Sequence, residues 1–269
     1  MTSITRGKSE HFQADAGKYA SYLESPEGRL RLDLAFANLQ EFLPQATSSL
    51  SAIDIGCGTG TTAVRLARLG VHVTLLDSSH GMLDLAKRAA QEAGVTERIT
   101  IKLGDAGRLD SLTSGPFDII LCHNVLEFVD DPEAVLCGAG RVMRDPSAIL
   151  SLVVRNQAGE VLKAAIQAGD LAVAENNLGA EWGQESLYGG RVRLFRAEGL
   201  RAMLKTASLT VAEVRGVRII ADYLPARISR DAEYDRILEL ERKLGRRPEF
   251  AAIARYTHCL ARRSSPSME

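Results

Sequence analysis

Apolar residues along this chain recur in short, β-branched, nearly continuous runs, and between the runs they recur at helical spacing. Ser51–Ile55, Val71–Leu76, Ile99–Leu103, Phe117–Cys122 and Ala148–Val154 are runs of five to seven residues, the length and texture of strands buried on both faces. Thr61–Leu69, Gly81–Ala93 and Pro132–Met143 lie between them and read as helices. Strands alternating with helices predict a parallel sheet covered on both sides. Two helices are expected before the first strand, within residues 1–45. One covers about His11–Leu23, and the other runs from about Gly28 to Phe42 behind the start signal Pro26-Glu27.

The rhythm breaks after Arg155-Asn156. Residues 157–193 are moderately helical, end in Gly189-Gly190, and are expected to form an inserted cap. A helix over Ala197–Thr206 and a strand over Val211–Ile220 follow. Residues 222–250 then form a helical insertion whose strongly amphipathic part, Ser229–Leu244, is stopped by Arg246-Arg247-Pro248. The last strand, Ala254–Ala261, alternates in a way that suits an antiparallel partner. No internal repeat occurs, and the tail 264–269 is expected to be disordered.

Composition narrows the class. A length of 269 residues suits one α/β domain with an appended cap, and 45% hydrophobic with 25% charged residues is ordinary for a soluble globule. No stretch approaches the ~20 apolar residues of a membrane span, and MTSITRGKSEHF lacks the apolar core of a secretory signal. Cys57, Cys122, Cys137 and Cys259 have neither CxxC spacing nor a disulfide framework, which points to a reducing cytoplasm and no metal. The net charge of −1 conceals an asymmetry: Arg191–Arg263 holds 17 Lys and Arg against nine Asp and Glu. Such a balance reads either as solvated helix faces or as a surface for an anionic partner, RNA among them.

The chemistry concentrates at the strand ends. Asp54-Ile-Gly-Cys-Gly-Thr-Gly60 closes the first run, with its glycines spaced Gly56-x-Gly58-x-Gly60. The dinucleotide fingerprint G-x-G-x-x-G needs its third glycine later, and an acid at Asp54 would repel a pyrophosphate but accept from an ammonium. Glycines let the main chain approach a bulky sulfonium amino acid. Asp77 ends the next run 23 residues on, where a carboxylate can take both hydroxyls of a ribose, whether of NAD or of S-adenosylmethionine. Asp105 and Ala106 follow the third run, where an adenine amino group would be read, and His123-Asn124 follow the fourth. Ligands of open α/β sheets bind at this edge.

In this order and spacing, DIGCGTG, LLD, GDA and FDIILCHNVLEFV resemble the class I S-adenosylmethionine-dependent methyltransferases over about Ser51 to Val154. EGRLR near Gly28, CHNVLEFVDDP, GVRIIADYL and YDRILELERKLGRRPEFAAIARYTH resemble, within that class, the tRNA 5-carboxymethoxyuridine methyltransferases, which esterify a carboxylate on a wobble uridine. The resemblance implies a Rossmann-like, seven-stranded sheet whose last strand is antiparallel. It also implies S-adenosylmethionine as cofactor, and tRNA as a partner through the basic C-terminal part. Arg31 would then reach the cofactor's carboxylate, as suits a bidentate guanidinium. Asp54, Gly56, Cys57, Gly58 and Gly60 would surround the methionine part, Asp77 and Ser78 the ribose, Asp105 and Ala106 the adenine, with Met82 also at the cofactor and His123 at the mouth of the acceptor site. Arg191, Arg193 and Arg196 stand where that family carries a lysine run.

Other polar residues have a structural and a functional reading. Asp118 reads as an anchor within its strand and Glu127 equally as a helix-cap partner; Trp182 and Tyr188 either stack on a base or pack. His123, Arg218, Tyr223, Arg255, Tyr256 and His258 are the candidates for positioning an anionic acceptor group. A carboxylate acceptor is ionised at neutral pH and needs no general base, whereas a phenol or carbon acceptor usually does. Three alternatives stay open at this level: a small-molecule O- or C-methyltransferase, an NAD-dependent oxidoreductase, and a module that binds the cofactor without catalysis.

Overall fold

The computed structural model describes residues 16–44, 49–113, 115–185, 187 and 189–264. Residues 11–15 of the first expected helix, Tyr188 and the tail beyond Ser264 lie outside the described residues. Helices α1 (Ala16–Glu24) and α2 (Pro26–Gln40) come first; α2 is started by Ser25, whose hydroxyl accepts from Gly28 N, with Pro26 at its first position. Strand and helix then alternate through β1 (Ser51–Ile55), α3 (Thr61–Arg68), β2 (His72–Asp77), α4 (His80–Glu92), β3 (Ile99–Leu103), β4 (Ile119–His123), α5 (Pro132–Val142) and β5 (Ile149–Arg155). Residues 157–193 fold as α6 (Gln157–Leu162), a π turn, α7 (Leu171–Asn177) and a hairpin of β6 (Trp182–Gln184) with β7 (Arg191–Arg193). The chain ends with α8 (Ala197–Thr206), β8 (Leu209–Val217), α9 (Tyr234–Gly245) and β9 (Tyr256–Arg263).

The seven-stranded sheet has the order β3-β2-β1-β4-β5-β9-β8. All neighbours are parallel except those of β9, which runs antiparallel to both β5 and β8. This is the architecture expected from the alternating pattern. Continuous apolar runs serve both faces, because alternate residues enter different layers. Ile53, Ile120, Leu150 and Leu152 pack with α5 and α8, while Ala52, Ile119, Leu121 and Ile149 pack with α3, α4 and Leu39 of α2. Val153 and Tyr256 extend the second layer under α2 and α9.

Where strand boundaries depart from expectation, polar groups set them. Phe117 makes only an isolated bridge to Met143, so β4 starts at Ile119. The expected strand to Ile220 stops at Val217, because the buried Glu241 carboxylate of α9 accepts from Ile219, Ile220 and Ala221 N at 2.7, 2.9 and 2.7 Å. A turn is thereby built where an edge strand would have continued. Asp118 accepts from Ser51 N at 2.8 Å and from Arg144 Nε at 2.7 Å, tying β1 to β4 at the sheet's amino edge. Among the described residues no helix is long and apolar enough to cross a membrane.

Candidate active site

The carboxyl ends of β1, β2 and β4 turn into helices or loops along one edge, and with α1, α2 and the 157–193 segment they enclose a cavity of about 820 Å³. Its floor is the β1–α3 loop, held by Gly56 and Cys57 N donating to Leu76 O at 2.7 and 3.0 Å. Gly60 ends the loop at φ +72, and a Cβ there would sit 2.9 Å from Ala86 Cβ, so this glycine lets α3 start beside α4. Asp77 closes β2 and stitches the loop: its Oδ2 accepts from Gly58 N and its Oδ1 from Ser79 N, both at 2.9 Å. Burial raises the Asp77 carboxyl above the usual range while these backbone donors pull it down.

Asp54 lies just behind the loop, 4% exposed, on a second small cavity of about 30 Å³ that Arg31, Gly56, Cys57 and His123 also line. It has no hydrogen-bond partner among the described residues, and burial, with Asp77 nearby, pushes its carboxyl up to about 8. Burial, with Asp54 and Asp77, also holds the Cys57 thiol well above its ordinary range. Two acids against a glycine loop repel a pyrophosphate and attract a cation. The residues present therefore fit a cationic amino-acid nucleoside such as S-adenosylmethionine.

Arg31 projects from α2 into the same space, 6% exposed. It donates to Asn124 Oδ1 and, at 2.9 Å, to the Tyr19 hydroxyl, and among the described residues no carboxylate pairs with it. A buried guanidinium without a carboxylate is a ready anion site. Asn124 stands at φ +56, a left-handed conformation that asparagine tolerates, and passes the chain on by donating to Glu127 Oε1 at 2.9 Å. Glu127 Oε1 also accepts from Arg155 N at 2.8 Å; the carboxyl is raised by burial, and its Oε2 has no hydrogen-bond partner among the described residues. Glu127 is thus a brace between the ends of β4 and β5 rather than a helix cap.

The opposite wall is cationic. Tyr256, at the start of β9, has the guanidiniums of Arg31, Arg218 and Arg255 at 5.7, 5.8 and 5.9 Å from its ring centre. Burial pushes the Tyr256 phenol up, but Arg218, Arg155, Arg31 and Arg255 outweigh it and bring the phenol down to about 8. Arg218 sits at φ +61, held by Asp222, by the Tyr22 hydroxyl at 2.9 Å and by Arg255 N on its carbonyl at 2.7 Å. A bulky residue in that conformation persists only where its surroundings enforce it. Arg155 pairs with Glu160 and Glu185 at 3.4 and 3.0 Å. Arg255 lies 2.6 Å from Glu160 through Nη1, an ion pair not aligned as a hydrogen bond. Arg155, Arg218 and Arg255 thus face Glu160, Glu185 and Asp222, and Lys163 adds a further cation to the lining.

Of the residues anticipated from sequence, Arg31, Gly56, Gly58, Asp77, Ser78, Met82, Asp105, Ala106, His123, Arg218, Arg255 and Tyr256 line the large cavity, and Asp54 and Cys57 line the small one. Asp105 also accepts from Gly107 N at 2.7 Å. Gly60, Tyr223 and His258 line neither cavity, so the structure does not support them as ligand contacts. Gly60 is turned to helix packing; Tyr223 is half-buried to one side, its phenol raised to about 12 by burial and by Asp222. His258 is fully buried between sheet and α2. Trp182 lies in the β6–β7 hairpin with Arg191 and Arg193 at 4.7 and 4.6 Å from its ring. Sequence reading missed Tyr19, Tyr22, Asn124, Arg155, Lys163 and Asp222 as cavity residues. Arg155 and Asn124 were within reach of the strand-end rule; the tyrosines carry no such signal.

Comparison with known proteins agrees with this geometry. Residues 53–150 match the family model described as a methyltransferase domain. The chain is 31% identical over 246 residues to the tRNA 5-carboxymethoxyuridine methyltransferase of Escherichia coli (strain K12), covering 88% of this chain and 89% of the relative. It is 29% identical over 171 residues to the ubiquinone biosynthesis O-methyltransferase of Maricaulis maris (strain MCS10), covering 62% of each. In fold it is similar to the CcbJ methyltransferase from Streptomyces caelestis, with TM-score 0.64 at 18% identity, over 96% of this chain and 99% of that one.

Proposed function

This chain belongs to the class I S-adenosylmethionine-dependent methyltransferases, and on that premise we propose that it methylates a carboxylate oxygen, with 5-carboxymethoxyuridine in tRNA as the acceptor. The observation that carries the reading is the set of guanidiniums around Tyr256, Arg31, Arg218 and Arg255, in one cavity with the glycine loop. Guanidiniums gathered around one buried ring favour an anionic acceptor and disfavour a neutral one.

Bound, S-adenosylmethionine supplies a methyl group already activated on a sulfonium, so the protein's work is alignment and exclusion of water, worth up to ~7–11 kcal/mol. In this reading Asp54 meets the ammonium, Arg31 the carboxylate, Gly56, Cys57 and Gly58 the methionine chain, Asp77 with Ser78 the ribose, and Asp105, Ala106 and Met82 the adenine side. Arg218 and Arg255 orient the acceptor carboxylate. Held there, the carboxylate oxygen would take the methyl group with the thioether as leaving group, and the chain would have no proton to move. Such chemistry requires no base, and burial with Arg31 brings His123 down to about 3, so that ring is neutral and a poor proton acceptor. The β6–β7 hairpin carries Trp182, Arg191 and Arg193 beside the mouth, where Glu185 and Leu187 of the connecting loop line the cavity. It suits contact with an RNA strand by stacking and charge. Such a substrate puts the enzyme in the cytoplasm.

The second reading, a small-molecule acceptor, is favoured by the cavity itself, whose 820 Å³ with Phe128, Val129 and Leu187 could enclose an aromatic metabolite. Incubation with methyl-labelled S-adenosylmethionine, bulk tRNA and, in parallel, a small-molecule extract separates the two. The carboxylate reading expects label in tRNA that mild base removes. Base-stable label in tRNA, or label in the extract alone, would contradict it.

A further inference from the structure

A polar thread crosses the otherwise apolar contact between α2 and the sheet. His123, Val153 and His258 lie in one row across β4, β5 and β9, and Ser151 lies two residues back on the same face of β5. The His123 ring binds Ser151 Oγ through Nε2 at 2.8 Å, Ser151 Oγ binds His258 Nε2 at 2.8 Å, and His258 Nδ1 lies 3.3 Å from Asn38 Nδ2. Asn38 is 5% exposed, and Ser151 and His258 are fully enclosed. Asn38 and Arg31 stand seven residues apart on α2, hence on one face of the helix. Polar groups buried this deeply are costly unless every bond is made in one direction.

The direction is set at the asparagine. With the Asn38 amide turned so that its nitrogen faces His258 Nδ1, that ring nitrogen accepts and the His258 hydrogen resides on Nε2. That hydrogen goes to Ser151 Oγ, the serine hydroxyl donates to His123 Nε2, and His123 therefore carries its own hydrogen on Nδ1. Among the described residues no carboxylate hydrogen-bonds to the thread; burial, then Arg31 at His123 and His123 with Arg215 at His258, keep both rings neutral. Among the described residues His123 Nδ1 makes no hydrogen bond, and the His123 ring lines the cavity.

We propose that Asn38, His258 and Ser151 are positioning residues that lock His123 as an Nδ1–H donor facing the cavity, where it hydrogen-bonds a carboxylate. That carboxylate belongs either to the cofactor's amino-acid end or to the acceptor. The second source rests on the function proposed above; the lock itself does not. The role is orientation, with no proton exchanged during transfer.

Long-range proton–nitrogen correlation spectra of the full-length, ¹⁵N-labelled protein read the tautomers directly. The expected result is Nδ1–H at His123 and Nε2–H at His258. An Nε2–H or doubly protonated His123 would overturn the proposal. In Ser151→Ala the His123 ring should lose its single tautomer, whereas Ser151→Thr, which keeps the hydroxyl, should retain it. Calorimetry with S-adenosylmethionine and the KM for tRNA then identify the carboxylate. A roughly tenfold rise of the cofactor Kd in Ser151→Ala assigns the cofactor, and a rise confined to KM assigns the acceptor. Both constants unchanged in Ser151→Ala would refute a donor role for His123. Failure of the tRNA reading alone would leave the tautomers and the calorimetric result as stated.

Discussion

At the scale of single residues, the account rests on two acids and a cavity-facing arginine. Asp77→Ala is expected to raise the Kd for S-adenosylmethionine at least about tenfold, or about 1.4 kcal/mol; unchanged calorimetric affinity would remove the ribose assignment. Asp54 gives a pH dependence with a definite sign. Its folded value of about 8 lies above the ordinary carboxyl near 4, so the folded, ligand-free chain holds the proton more tightly than the unfolded one. Asp54 therefore costs no stability below about pH 4, and stability falls as pH rises from there through about 8. A cationic ligand needs the ionised form, so cofactor affinity should rise with pH between about 6 and 8, by at most tenfold per unit. Asp54→Asn should flatten that slope and raise the thermal midpoint near pH 8. A slope that persists in the variant would place the titration elsewhere, with Asp77 the next candidate. Asp77 was legible because it ends a hydrophobic run, and Asp54 because an acid interrupts an apolar strand just before a glycine loop. His258 and Tyr223 lie outside both cavities because proximity in sequence to a strand end does not fix the facing: His258 points beneath α2, and Tyr223 follows a turn that Glu241 imposes.

At the scale of elements, the short α1 matters more than its length suggests. Its Tyr19 binds Arg31 and its Tyr22 binds Arg218, so it ties the cofactor side of the cavity to the acceptor side. The contact between α1 and α2 is backbone against backbone: a Cβ at Gly28 would meet Tyr22 O at 2.0 Å and Leu23 Cα at 2.7 Å. Gly28→Ala should displace α1, lower Tm by about 2–4 °C for each kcal/mol lost, and weaken cofactor binding. A lowered Tm with an unchanged cofactor Kd would show that α1 braces the fold without shaping the site. Sequence periodicity located the strands and helices to within a few residues. It could not foresee endings that depend on distant partners, since the carboxylate that stops β8 sits on α9, more than twenty residues later.

At the scale of the whole molecule, the charge asymmetry is partly absorbed internally. Arg215 and Arg246 of the basic C-terminal part pair with Glu41, and Arg230 pairs with Glu27, both acids from the N-terminal segment. The composition was legible from the sequence, but not this pairing across the fold. The cations left for a polyanion include Arg191 and Arg193 at Trp182. If tRNA is the partner, its binding should weaken steeply with salt as counterions are displaced, and Trp182→Ala should weaken it further at every salt concentration. A flat salt response would favour the small-molecule acceptor.

The central claim is that the arginines around Tyr256 select a carboxylate, and methylation itself removes that charge. The most direct measurement compares Kd for a tRNA fragment bearing 5-carboxymethoxyuridine with Kd for the same fragment bearing its methyl ester. The account predicts that the acid binds at least about tenfold more tightly, a difference of about 1.4 kcal/mol, and that Arg218→Gln abolishes the difference. Equal affinity for acid and ester in the unaltered protein would contradict it.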